Sequence, residues 1–184
     1  VALRAGPGKK VTAYRLRFKP EARGDHVFVL QTPPIWMEED KEFFQDTVKV
    51  VLHVQAQKGW DRSAQKDLEF TPLTRPYGLE PGMAFQAQLE GKVPLTAPPR
   101  RPLAGALVEV ERYNATAPTE LPPDEQITRT AKTDPNGVVT ATLTEPGWWC
   151  LTAARKAGTL AHDGKPRPLR QRATFWVFVA AKGH

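Results

Sequence analysis

The residues of this 184-residue chain best able to bind a metal or attack a substrate are four histidines, His26, His53, His162 and His184, and one cysteine, Cys150. No two histidines stand at the short spacing of a one-element metal motif. His26 and His53 fall on neighbouring strand-like segments. If those strands set the two rings opposite each other, they form a surface ligand pair; if not, each is a solvated histidine. Glu38, Glu39 and Asp40 form an acidic cluster that could meet a hard cation, although it lacks the glycine and alternating carboxylates of a calcium loop. His26, His53, Glu38, Glu39 and Asp40 are therefore the candidate metal set, and imidazole with carboxylate suits a divalent transition metal. His162-Asp163-Gly164 reads as a turn. Cys150, beside two tryptophans on a strand, is expected to be a buried apolar side chain rather than a reactive thiol.

Catalytic signatures are missing from the sequence. It has no nucleophile elbow, zincin motif, phosphate loop or Ser/His/Asp spacing, so the chain is not expected to be an enzyme. A net charge of +6 comes from basic residues spread along the chain. Nucleic-acid binders usually gather such charge on one face with interleaved aromatics, so none is expected as a partner. No apolar run reaches the roughly 18 residues of a membrane span. A single cysteine allows no disulfide within the chain.

The elements that must position these residues read as strands. Eighteen prolines and thirteen glycines favour short strands joined by turns. Asp134-Pro135-Asn136-Gly137 is turn chemistry, and Val139, Ala141 and Leu143 then alternate with threonines at the period of a half-buried strand. Six further strands fall near 68–73, 84–90, 105–113, 126–132, 148–154 and 172–180. In the first third, strands are expected over 11–18, 26–31 and 45–55, the last with Val48, Val50, Leu52 and Val54 inward and Lys49, Val51 and His53 outward. The fold class is all-β, built as two β-sandwich units. Residues 1–57 are an N-terminal portion expected to lack some of its strands, 58–66 a linker, and 67–184 a Greek-key sandwich of immunoglobulin or transthyretin type.

Aromatic residues in loops and turns are the candidate interface. Trp36 lies in a proline-rich acidic loop, Trp60 in the linker, and Arg75 and Tyr77 in an Arg-Pro-Tyr-Gly turn. Trp148 and Trp149 occupy consecutive strand positions and must face opposite sides. One fills the core. The other needs a cover, expected from the Arg75–Gly78 turn.

In order along the chain, Pro72-Leu-Thr-Arg-Pro-Tyr-Gly-Leu79, Gly91-Lys92, Pro102-Leu-Ala-Gly-Ala-Leu-Val-Glu-Val-Glu-Arg-Tyr-Asn114, Lys132-Thr-Asp-Pro-Asn-Gly-Val138 and Pro146-Gly-Trp-Trp149 resemble an uncharacterised family of exported bacterial domains associated with nickel and cobalt uptake transporters. Gly59-Trp60-Asp61 and Pro34-Ile-Trp36 are similar to that family too, so the resemblance covers roughly residues 33–180. This chain departs from the pattern in three places. Its first histidine is His26, whereas many members begin at or near one. Cys150-Leu151 follows the tryptophan pair. A proline-rich basic insertion spans 93–101.

The resemblance implies a periplasmic or extracellular, non-catalytic accessory protein. Its partner would be an envelope transporter component or another envelope protein, with nickel or cobalt as the metal concerned. The alternative from the sequence is a structural subunit of a cell-envelope or surface assembly, and a third reading is a carbohydrate-binding module with exposed tryptophans. The opening residues lack a signal-peptide pattern, as expected of a mature exported chain or of part of a longer one.

Replacing the inward-facing member of the Trp148–Trp149 pair by alanine is expected to cost about 3–5 kcal/mol. Thermal melts of Trp148→Ala and Trp149→Ala check this, and two unchanged midpoints would refute a core role for either ring.

Overall fold

Alternating apolar residues and frequent turns do build an all-β chain. The computed structural model describes residues 2–4, 10–12, 15–93, 100–116, 118–120 and 123–182. The first strands are β1 (Ala2–Arg4), β2 (Lys10–Thr12), β3 (Gly24–Gln31), β4 (Ile35–Met37) and β5 (Glu42–Val54). They are followed by β6 (Leu68–Pro72), β7 (Met83–Lys92), β8 (Arg100–Pro102), β9 (Leu107–Arg112), β10 (Arg129–Lys132) and β11 (Val138–Leu143). The long pair β12 (Gly147–His162) and β13 (Lys165–Val179) ends the chain, and one helical turn, α1 (Asp124–Ile127), precedes β10. Of the strand expected over 11–18, part lies outside the described residues, and 15–18 is not in a strand.

Two sheets carry the core. One has seven strands in the order β10-β9-β12-β13-β5-β3, with β4 on the far part of β5. The other has four, β11-β7-β6 with β8 on β7. β1 and β2 pair only with each other. The inward residues of β12 are Trp149, Leu151 and Ala153, and those of β13 are Ala173, Phe175, Val177 and Val179. They share one buried cluster with Leu68, Phe70, Phe85, Ala87, Leu89, Val139 and Leu143 of the four-stranded sheet. Phe85 and Phe175 stack across the gap, centroids 5.8 Å apart.

Turn chemistry sets the registers. Asp163 and Gly164 both have positive φ, 51° and 71°, the paired left-handed geometry of a two-residue hairpin turn. The Asp134 carboxylate accepts the N–H groups of Asn136 and Val138, each at 2.8 Å. Gly137, at φ 73°, leaves no room for a Cβ, which would lie 2.8 Å from the Leu89 carbonyl oxygen. Both turns read from the sequence are therefore present.

β3, β4 and β5 do not have a sheet to themselves. β5 pairs in parallel with β13 from Phe43↔Leu169 to Val50↔Trp176, and β3 pairs antiparallel with β5. One seven-stranded sheet thus crosses the boundary expected at 58–66. The parallel seam is reinforced by side chains: Arg172 donates twice to Asp46 at 2.6 and 2.8 Å, Arg170 Nε to Glu42 at 2.7 Å, and Gln171 to Gln45 at 3.0 Å.

The phase of β5 is the reverse of the expected one. Thr47 and Lys49 are buried, whereas Leu52 is 44% exposed. Lys49 points at the four-stranded sheet, where its ammonium donates to Glu69 Oε1 (2.6 Å), the Arg62 carbonyl (2.8 Å) and the Phe70 carbonyl (3.2 Å). The Glu69 carboxylate also accepts from Ala64 N at 2.6 Å, Ser63 Oγ at 3.1 Å and Lys66 N at 3.2 Å. Burial pushes the Glu69 carboxyl up, but the Ala64 N–H, the Lys49 ammonium and the Lys66 N–H outweigh it. The net result is a carboxyl held below its ordinary value.

Losing one partner of a buried ion pair strands the other charge, so Lys49→Met is expected to cost about 3–5 kcal/mol. Lys49→Met/Glu69→Gln should recover part of that loss, because a neutral amide can still accept from Ala64. Since the folded carboxyl titrates below its unfolded value of 4.5, its contribution is complete above that pH and is lost as acid titrates it. Urea melts at neutral and acid pH measure both effects. A single variant as stable as the wild type would contradict the role given to the pair.

Candidate functional site

β3 and β5 decide where the candidate metal residues go. Their register sets Asp25 opposite His53 and His26 opposite Leu52. Cross-strand partners share a face, so His26 and His53 lie on opposite faces of the sheet and do not converge. His26 Nε2 instead lies 3.1 Å from the Ala22 carbonyl, and its ring meets Phe18 edge-on. Glu38, Glu39 and Asp40 sit exposed in the turn between β4 and β5. Glu38 takes the Lys41 ammonium and, at 2.6 Å, the Trp36 indole N–H, and these two donors hold its carboxyl below the ordinary range. Among the described residues no three His, Cys, Asp or Glu side chains come together as a metal group. His184 lies outside the described residues.

On the inner face, Asp25 gathers polar groups from three segments. Its side chain is fully buried. It accepts from His53 Nδ1 at 2.8 Å, Lys58 N at 2.7 Å and the Tyr77 hydroxyl at 3.1 Å. The His53 and Tyr77 rings stack, centroids 4.1 Å apart. Burial first, and then the Asp25 carboxylate, push the Tyr77 phenol up to about 12. Arg75 lies over the Tyr77 ring at 5.2 Å and donates to the Tyr77 carbonyl at 3.3 Å. Chemically this is a histidine oriented by a carboxylate. It ties the Arg75–Gly78 turn to β3 and β5.

That turn therefore does not cover the outward tryptophan. Trp149 is the core ring, 2% exposed, and Trp148 is 42% exposed. Trp148 lies on the outer face of the seven-stranded sheet, away from Tyr77. Trp60 is half-buried in the turn after Gly59. Trp36 stacks on His162 at 4.0 Å, beside Phe43 at 5.2 Å and under Arg167 at 5.7 Å. Ten residues of β5 separate Phe43 from His53, a span on the order of 30 Å. Trp36 and Tyr77 thus belong to different ends of the molecule.

The outer face holds what the sequence reading missed. Cross-strand register lines up Glu111, Cys150, Trp176, Val50 and Phe28 in one row, and Glu109, Thr152, Thr174, Val48 and Leu30 in the next. A further row sets Trp148 beside Phe178, with Tyr113 donating its N–H to the Trp148 carbonyl at 2.8 Å. Leu30, Leu52, Tyr113, Trp148 and Phe178 are all exposed. An open sheet face normally carries polar side chains. Here the half nearer the β12–β13 turn does so through the Arg172–Asp46 and Arg170–Glu42 pairs, whereas the other half mixes Glu109, Glu111, Thr152 and Thr174 with the exposed apolar residues. The alternation of Trp148, Cys150 and Thr152 was visible in the sequence. That β5 presents Val48, Val50 and Leu52 to the same face was not. Cys150 is buried there, as expected, and burial followed by the charge of Glu111 pushes its thiol up.

The Asp25 cluster makes a spectroscopic prediction. Phenolate absorbance should show a tyrosine titrating near pH 12, and Asp25→Asn should bring that midpoint down towards 10, the ordinary phenol value. A titration identical in the two proteins would contradict the Tyr77–Asp25 bond. Because the folded phenol titrates above its unfolded value, its contribution to stability is present below about pH 10 and fades as pH rises towards 12.

Comparison with curated proteins returned no match, and neither did comparison with solved structures. Residues 5–157 match the family described as Domain of unknown function (DUF4198), and with that match spanning most of its length the chain belongs to this family.

Proposed function

We propose that this chain is an exported, non-catalytic accessory protein of nickel or cobalt uptake, acting in the periplasm or outside the cell. It works by docking an envelope transporter component rather than by holding the metal itself. The carrying observation is the outer sheet face, where Leu30, Leu52, Trp148 and Phe178 stand exposed across four adjacent strands. Exposed apolar surface gathered on one face is the usual mark of an interaction site. The separation of His26 from His53 and the solvated Glu38–Asp40 turn favour an adaptor over a metal carrier. The link to nickel and cobalt rests on the ordered motif set from Pro72 to Trp149.

The proposed fold is a sandwich whose C-terminal part is a Greek key of immunoglobulin or transthyretin type. The strand orders β11-β7-β6 and β10-β9-β12-β13 support this, because the chain crosses between the two sheets three times, from β6–β8 to β9–β10, on to β11 and back to β12–β13. β5 and β3 then extend one sheet beyond β13. A second reading, a structural subunit of an envelope assembly, is favoured by the same exposed face, which is wider than a small ligand needs.

Deleting the gene should lower radiolabelled nickel or cobalt uptake several-fold at limiting metal. Wild-type protein should restore it, and Trp148→Ser/Phe178→Ser, folded by circular dichroism, should not. Unchanged uptake on deletion would overturn the transport reading, and an oligomer by light scattering in that event would favour the structural subunit.

A further inference from the structure

We propose that the recess between Val50, Tyr113, Trp148 and Trp176 binds a small organic cation of the quaternary-ammonium class. The proposal rests on the outer sheet face being the working surface, and names a ligand chemistry for part of it. The recess has a volume of about 330 Å³ and is lined by those four residues. Tyr113 stands at 75° to Trp176 with centroids 6.2 Å apart, and Trp148 stands at 74° to Trp176 with centroids 6.5 Å apart. One ring thus has a near-perpendicular neighbour on each flank. A guest in the recess would meet these rings, and aromatic cages hold methylated ammonium groups against the negative faces of their π-systems.

Three features select a cation over other guests. First, the chain's own cations lie over other rings: Arg75 over Tyr77, Arg129 over Trp149, Arg167 over Trp36, and Arg170 and Arg172 over Phe44. Among the described residues none lies over Tyr113, Trp148 or Trp176. Secondly, negative charge stands beside the recess. Glu111, on β9, is two residues before Tyr113 and is paired with Cys150, the neighbour of Trp176, and Glu109 follows in the next row. Glu111 is held there by the Thr128 hydroxyl at 2.8 Å. Thirdly, the lining has no imidazole, carboxylate or thiolate, so a metal ion would find no ligand. A methylated ammonium is weakly hydrated and loses little on entering an apolar recess, whereas a primary ammonium loses strong hydration.

Choline and 3,3-dimethylbutan-1-ol test this, because they share a shape and differ in charge. The full chain is titrated with each while the tryptophan indole N–H signals are followed by NMR. Choline is expected to shift the Trp148 and Trp176 signals saturably, with the neutral alcohol roughly twofold to fivefold weaker, the range of a cation–π contact at exposed rings. Trp176→Leu should abolish the choline response while leaving the circular dichroism spectrum unchanged. Equal affinity for the two compounds, or no saturable shift with either, would overturn the proposal. So would co-sedimentation with phosphatidylcholine vesicles without a response to free choline, since that would make the face a membrane-binding surface. Choline binding by a protein whose deletion leaves metal uptake unchanged would support this site while sinking the transport reading. Absent choline binding with uptake still dependent on Trp148 would do the opposite.

Discussion

The buried pair of Lys49 and Glu69 is the constraint on which the placement of the N-terminal third depends. Both side chains are almost wholly buried, 2% and 1% exposed, and moving two charges out of water costs several kcal/mol per ion unless geometry and extra hydrogen bonds compensate. Here each ammonium hydrogen has a protein acceptor, and the carboxylate accepts three further donors from residues 63–66. The pair therefore works as a specific latch: it joins β5 of one sheet to β6 of the other, and it is satisfied only when the 62–66 segment is folded around it. Arg100 adds to the same polar core, with Nη2 3.6 Å from both Glu69 and Glu90.

This latch sets the phase of β5, and the phase sets the outer face. With Lys49 inward, Val48, Val50 and Leu52 must point outward, because strand side chains alternate. The parallel register with β13 then places Val50 beside Trp176 and Val48 beside Thr174. A polar contact inside the molecule thus has an apolar surface outside it as its consequence. A one-residue slip of β5 would bury the valines, but it would also put Lys49 in solvent and leave the buried Glu69 with Arg100, 3.6 Å away, as its remaining counter-charge.

How much of this was legible follows from the same logic. The Asp163–Gly164 and Asp134–Gly137 turns were readable because turn chemistry is local, but the strands expected near 148–154 and 172–180 run on to His162 and start at Lys165, where alternation is weak. The split of Trp148 from Trp149 was readable because alternation between neighbours is local. β5 was misread because the rule that apolar residues face inward assumes one apolar face. Val48, Val50 and Leu52 obey the period, but Lys49 looks like a surface residue until Glu69, twenty positions away, is placed beside it. The pairing of Asp25 with His53 was hidden by register: His26 is one residue from Asp25, and a shift of one position exchanges the candidate partners completely. The candidate interface residues Trp36, Trp60, Arg75 and Tyr77 were sensible as types. What the sequence could not convey was that β5 would hold the first and the last of them at opposite ends.

The Asp25 cluster and the latch share one consequence for the N-terminal strands. β3 lies at the edge of the seven-stranded sheet, with β5 as its neighbour, and an edge strand held by backbone bonds alone is easily displaced. Asp25 answers this from the inner face, since its carboxylate takes a histidine from β5, a backbone N–H from Lys58 and a phenol from the turn before β7. Its own N–H also donates to the Lys58 carbonyl at 3.1 Å. Phe18 answers from the outer face, packing edge-on against His26 and Phe28 at 5.0 and 4.9 Å. Fixing β3 in this way keeps Phe28 and Leu30 in register with Val50 and Val48, so the row of Phe28, Val50, Trp176 and Cys150 runs unbroken from β3 to β12. A face assembled from strands so distant in sequence depends on those two inner contacts, and that couples the integrity of the outer face to the burial of Lys49 and Asp25.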